Sequence, residues 1–269
     1  MGAVRSFLFN ICFYSFTLFC AAGAVLTSLL LGTRGMRAMF RLWCNGTMFF
    51  VRWVLGAKVE IRGREHIGPD TALIVAKHQS EMDIAAMGTV FPTYGAIAMQ
   101  ELDNYPLVGR IVTQLGHIKV KVEGQRQNQL PQVLEGAKRV RAEGRPILIY
   151  PEGTLMRPGK KMRYRAGAWH IYHELGVPVV PVAKSLSLAW PRRDWRKFPV
   201  RCAMEFLEPI PPGLGKQQFM QLLEDRIEIG SNALIREFAT PEQLEDIRFD
   251  YEHDGGSWSA HRKPEKPSV

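Results

Sequence analysis

Ala72-Leu73-Ile74-Val75-Ala76-Lys77-His78-Gln79-Ser80-Glu81-Met82-Asp83 is the stretch on which the reading of this chain turns. Its first five residues are an unbroken apolar run, the pattern of a strand buried on both faces. The run ends at His78, and Asp83 follows five residues later. On one continuous helix that spacing would set the two side chains about 140° apart, too far round for contact. The sequence therefore places His78 on a strand-to-helix turn and Asp83 in the first helical turn. The C-terminal end of a strand is a common position for a site in an α/β fold. There the carboxylate can accept the second ring N–H and fix the imidazole's tautomer and orientation. The same residues also allow a structural reading, with Ser80 as helix cap and Asp83 as a favourable acid near the helix start. Both readings stand at this point.

Strands and helices alternate on either side. Strands are expected at 59–62, 118–122, 146–150, 177–183 and 201–206, with Pro178 and Pro181 limiting how the fourth of these pairs. Helices are expected at 83–90, 105–115, 130–140 and 166–175. Phe219, Leu222, Leu223 and Ile227 mark a later amphipathic helix. This alternation predicts an α/β layer fold with a central, mostly parallel sheet flanked by helices. Three regions follow: 1–57 as membrane-associated helices, 58–250 as the α/β domain, and 251–269 as a polar, disordered tail.

The 269 residues are 46% hydrophobic and carry a net charge of +9, which favours anionic partners. No nucleic-acid motif accompanies the charge, so a membrane surface or an acidic carrier protein is expected instead. No charge interrupts the chain between Arg5 and Arg34, a run long enough for a bilayer core. Arg34, Arg37, Arg41 and Arg52 are then threaded through Phe40, Trp43, Phe49, Phe50 and Trp53, which suits a helix in the headgroup layer on the cytoplasmic side. Whether the first segment crosses the membrane or dips in and returns is left open. Cys12, Cys20, Cys44 and Cys202 form no CxxC and read as reduced and structural. His170 and His173 have no third ligand placed with them, so no metal is expected. The run from Trp190 to Phe198 mixes tryptophan with cations and reads as a second membrane contact, a carrier-protein landing site or an ordinary loop.

A second strand end joins the first. The 146–150 run leads into Pro151-Glu152-Gly153-Thr154, which puts an acid, a flexible glycine and a hydroxyl where they can converge on His78. No GxSxG elbow and no activated Ser or Cys is present, which argues against a covalent acyl-enzyme.

Together these blocks resemble the lysophosphatidate acyltransferase family of glycerolipid acyltransferases. The likeness rests on Lys77 to Asp83 with its His-x4-Asp spacing, Glu101-Leu102 with Pro106-Leu107-Val108-Gly109, Tyr150 to Thr154, and Gly176 to Val182, in that order over roughly residues 55–215. The resemblance implies the glycerolipid acyltransferase fold, with an N-terminal helical pair in the membrane. It implies O-acyl transfer from an acyl thioester, either acyl-CoA or acyl carrier protein, to a lyso-lipid hydroxyl. No bound cofactor is expected. His78 would be the general base, Asp83 would hold the imidazolium, and Glu152, Gly153 and Thr154 would position the acceptor. A bacterial inner membrane, with the catalytic domain on its cytoplasmic side, is the expected location.

Three departures bear on the acceptor. The family's cations expected to hold a phosphate are replaced by Gln100, Val122 and Leu155. Arg157, Lys119, Lys121 or Arg163 would have to substitute from neighbouring positions. The favoured acceptor is accordingly a lyso-aminolipid of the ornithine or sulfur-containing kind. The alternative is 1-acylglycerol-3-phosphate, and a non-enzymatic lipid-binding protein is a third reading.

Overall fold

Period-2 alternation in two neighbouring strands organises the molecule. In β2 (Leu73–Ala76), Ile74 and Ala76 point to one face of the sheet and Leu73 and Val75 to the other; in β7 (Val179–Lys184), Val180 and Val182 share the first face and Val179 the second. Each face builds its own core. The first is covered by the N-terminal helices and α3 (Met82–Val90), and the second by α5 (Leu130–Ala142), α6 (Gly167–Leu175) and α7 (Lys216–Phe238).

The structure, a computed structural model, describes residues 2–69, 71–121 and 129–251. Residues 252–269, expected to be a disordered tail, lie outside the described residues, and so does Val122. Among the described residues one sheet has seven strands in the order β1-β8-β7-β2-β5-β3-β4, where β1 is Lys58–Arg62, β3 Gly95–Met99, β4 Ile118–Val120, β5 Ile147–Ile149 and β8 Arg201–Phe206. All neighbours are parallel except β7 and β8. A small second pair joins β6 (Lys160–Lys161) to β9 (Asp250–Tyr251), and α8 (Pro241–Asp246) lies between α7 and β9.

Two details differ from the sequence expectation. β3 was not expected, because Gly-Ala-Ile-Ala-Met neither alternates nor forms a strongly apolar run. Its Gly95 answers to packing: a Cβ there would lie 2.5 Å from Val140 on α5. Pro178 and Pro181 limit the pairing of β7 less than expected, since it pairs on both sides; Pro181 shows why. Its carbonyl accepts from Leu207 N at 2.9 Å, so it loses only an N–H partner at the very end of the β7–β8 pair.

The N-terminal helices α1 (Gly2–Leu31) and α2 (Thr33–Phe50) form an antiparallel hairpin that turns at Gly32, whose φ of 59° suits glycine. Phe16 meets Gly46, Trp43 Nε1 donates to Thr17 Oγ1 at 3.0 Å, and Thr27 meets Gly35, a reversed order of contacts. Both ends of α1 touch the α/β layers. Near its start, Ser6 Oγ donates to Lys197 O at 2.7 Å, and Phe9 and Phe13 stand edge-on to Trp190 at 5.0 and 4.8 Å. Near its end, Ala24 packs with Met36 and Leu115. The outer side of α1 stays bare, with Leu26, Leu29 and Leu30 among its exposed residues. The Trp190–Phe198 loop is thus a latch for α1 rather than a freely solvated segment. All four cysteines are free.

Candidate active site

The turn after β2 shapes the site. Lys77 N donates to Val182 O and carries the β2–β7 ladder one residue past the strand, and the chain then bends through Gln79 and Ser80 into α3. His78 Nδ1 lies 2.8 Å from Asp83 Oδ2, which also accepts from the backbone N–H groups of Gln79 (2.8 Å) and Ser80 (3.2 Å). Ser80 is not the cap of α3. Its hydroxyl accepts from Met82 N and donates to Trp190 O at 2.8 Å, tying the turn to the loop that holds α1. Burial pushes the Asp83 carboxyl up, but Lys184, His78 and the backbone donors overcome this and hold it below the usual range. An ionised Asp83 favours the imidazole tautomer that carries its proton on Nδ1 and leaves Nε2 as the acceptor.

A buried ionic cluster surrounds the pair. Lys184 Nζ stands 3.4 Å from Asp83 Oδ1 and 4.8 Å over the Tyr150 ring. On the other face of the sheet, Lys77 Nζ meets Glu228 at 2.5 Å and Glu152 at 3.7 Å, and Tyr164 donates to Glu228 at 2.9 Å. Burial, opposed by Lys77 and reinforced by Glu228, raises the Glu152 carboxyl to about 8. With Glu152 protonated, Lys77 and Lys184 balance Glu228 and Asp83. Neutral pairing of this kind is the condition for keeping charges out of water.

His78 opens into a cavity of about 1680 Å³. Its apolar lining includes Ala24, Met36, Phe40 and Trp43 of the hairpin, together with Ile111 of α4 (Pro106–Gln114) and Leu115. Gly153, Thr154, Leu155, Arg163, Arg165, Arg192 and Arg193 also line it. Gly153, at φ 68°, lies against the Arg165 guanidinium, where a Cβ would meet Cζ at 2.7 Å. Glu152 is fully buried beneath the site rather than in its wall.

The remaining acceptor candidates are spread out. Lys121 reaches the cavity wall. Lys119 is engaged by Asp103 at 2.5 Å and Thr113 at 2.6 Å, and Arg157 is exposed outside the lining. No group of three or more His, Cys, Asp or Glu suited to a metal occurs among the described residues.

The family model described as Acyltransferase matches residues 58–185, the span from β1 through β7 that carries every group of the pair and its turn. The chain is 28% identical over 167 residues to the 1-acyl-sn-glycerol-3-phosphate acyltransferase of Pseudomonas aeruginosa, covering 61% of this chain and 65% of that one. It is 24% identical to the enzyme of the same name from Saccharomyces cerevisiae, covering 83% and 78%. Over that span the chain is similar to the acyltransferase family that includes these enzymes. The match spans 65% and 57% of the lengths of the Pseudomonas and Limnanthes douglasii relatives, less than two thirds of each. The fold matches the crystal structure of the 1-acyl-sn-glycerophosphate acyltransferase PlsC from Thermotoga maritima, with TM-score 0.71, 22% identity, and coverage of 87% of this chain and 98% of that one.

Set against the family, the departures acquire positions. Leu155 lines the cavity where an Arg was expected, and its carbonyl accepts from Arg192 at 2.7 Å. Gln100 begins a short 3-10 turn after β3. Sequence reasoning passed over Tyr150, Lys184, Arg165 and Arg192. The legible signals were a lysine closing the apolar run 179–183 and a cluster of arginines between 157 and 165.

Proposed function

We propose that this chain is a membrane-bound acyltransferase that moves a fatty acyl group from an acyl thioester, acyl-CoA or acyl carrier protein, to the hydroxyl of a lyso-lipid. The observation that carries this reading is the 2.8 Å His78–Asp83 contact, with His78 in the wall of a cavity whose lining combines apolar side chains with Arg163, Arg165, Arg192 and Arg193. Nε2 of His78 takes the proton of the acceptor hydroxyl as its oxygen attacks the thioester carbonyl. The C–S bond then breaks, and the departing thiolate recovers the proton from Nε2. Asp83 stays ionised throughout and stabilises the imidazolium. Base catalysis of this kind is worth about 10² to 10⁴-fold.

A phosphate-bearing acceptor, 1-acylglycerol-3-phosphate, is now the better reading. Arg163, Arg165 and Arg192 on the cavity wall offer the cations that Gln100, Val122 and Leu155 do not. A lyso-aminolipid acceptor is the second reading, favoured by those three replacements. The hairpin would lie along the membrane surface with its bare side in the acyl boundary, because both ends of α1 return to the α/β layers. Arg34, Arg37 and Arg41 favour the cytoplasmic face of a bacterial inner membrane.

Purified protein in lipid, an acyl thioester and a panel of phosphate-bearing and amino lyso-lipids test the reading. Acylation of 1-acylglycerol-3-phosphate is expected. Turnover of aminolipids alone would reverse the choice of acceptor, and no acylation of any acceptor would end the enzymatic reading.

A further inference from the structure

The strand that closes the site ends on a charge that acyl transfer as described above does not use. β7 is buried along its whole length, and its last residue, Lys184, has no exposed surface. Alternation along the strand sends Lys184 to the same face as Val180 and Val182, the face against which α3 packs, and there it reaches Asp83. Apart from the Tyr150 ring 4.8 Å away, its ammonium faces Asp83 alone: among the described residues neither Lys184 Nζ nor Asp83 Oδ1, the atom 3.4 Å away, has a hydrogen-bond partner. The carboxylate of Asp83 is thus addressed from both sides, by His78 on Oδ2 and by Lys184 on Oδ1.

We infer that Lys184 is a positioning residue whose fixed charge, acting through Asp83, keeps the His78–Asp83 pair proton-poor and so keeps His78 a free base. This inference rests on the proposed role of His78. A lone buried Asp–His pair binds one proton readily, because the carboxylate has no other counter-charge. A cation at 3.4 Å supplies that counter-charge and repels the proton, wherever in the pair the proton would settle. The other ionisable groups around Asp83 do not replace it. Tyr150, at the end of β5, and Cys202, on β8, are held neutral by burial. Glu152 holds its own proton near neutral pH, and Lys77, Glu228 and Tyr164 satisfy one another on the opposite face. Burial holds the Lys184 ammonium below the usual lysine range, and Asp83 and Glu152 oppose that effect without overcoming it.

The test compares the full chain with Lys184→Met and Lys184→Arg in detergent or lipid. Two readouts are taken against pH: kcat and KM for acyl transfer, and the rate at which diethylpyrocarbonate labels His78, followed by peptide mass. Labelling needs a neutral imidazole but no reaction, so it reports on this inference even if no acyl acceptor is found. Lys184→Met should move the midpoint of His78 labelling, and the acid limb of kcat, upward by about one pH unit or more. KM should stay within about threefold, because Lys184 touches neither substrate. Lys184→Arg should restore the original midpoint. An unchanged midpoint in folded Lys184→Met would overturn the inference. Should that variant not fold, the pair Asp83→Asn/Lys184→Met, which removes both charges together, is expected to fold. Failure of the double variant as well would make Lys184 a scaffold residue and overturn the inference too.

Discussion

The ring of Tyr150 lies parallel to the His78 imidazole, 4.0 Å away and inclined by 16°, with its hydroxyl buried and unbonded. The phenol therefore acts as a flat wall. It fixes the plane in which Asp83 can hold the imidazole, and its polar end contributes nothing visible.

Tyr150→Phe should accordingly keep acyl transfer within about threefold and should not destabilise the fold, since it removes an unsatisfied buried group. Tyr150→Ala should lower kcat about 2- to 10-fold, the loss of one ring stack. Steady-state kinetics of the two variants separate the wall from the hydroxyl.

Glu152 makes stability depend on pH. Its carboxyl sits at about 8 in the fold against 4.5 for an ordinary Glu. Between those values the folded chain holds a proton that the unfolded chain has released. The contribution is therefore fully present below about pH 4.5 and is lost as pH rises to about 8, at no more than about 1.4 kcal/mol per pH unit. Glu152→Gln carries no titrating proton. Denaturant melts from pH 5 to 8 should show a flatter slope for the variant than for the parent chain.

Gly88, on α3, is where the hairpin presses hardest on the helix that carries Asp83. A Cβ at this position would stand 2.3 Å from Cys44 Sγ on α2. Gly88→Ala should cost about 1 to 3 kcal/mol of stability, as overpacking does, read by thermal melting in detergent. Gly68→Ala, where nothing lies within 4 Å, is the matched control.

The bare side of α1 predicts lipid binding. Leu26 and Leu30 are 61% and 75% exposed. Replacing both with Glu should weaken co-sedimentation with anionic vesicles about tenfold or more, because each leucine is worth about 1.5 to 3 kcal/mol on full burial. Equal sedimentation would remove α1 from the membrane contact.

Much of this architecture was legible in the chain. The apolar run before His78 had to be a buried strand, and the five-residue spacing had to break at a turn, which is how Asp83 meets Nδ1. The hairpin was legible as apolar and then arginine-threaded, but its direction was not, since hydropathy carries no information on where a helix returns. β3 escaped because short alanine-rich strands leave no periodic trace. Lys184 and Glu228 escaped for another reason. Each looks like an ordinary surface charge until the register of β2 with β7, and the docking of α7, set them against Asp83 and Lys77. Pairings between residues about 100 and 150 positions apart belong to the topology rather than to any local pattern. The cations on the cavity wall are a similar case, because Arg165 comes to lie over Gly153 only through the loop between β5 and α6.

Acyl transfer by His78→Ala is the most direct test of the account. Assayed with an acyl thioester and the best lyso-lipid acceptor of the parent chain, the variant should fold and bind vesicles normally yet lose about 10² to 10⁴-fold in kcat. A folded variant that transfers acyl groups at close to the parent rate would contradict His78 as the base.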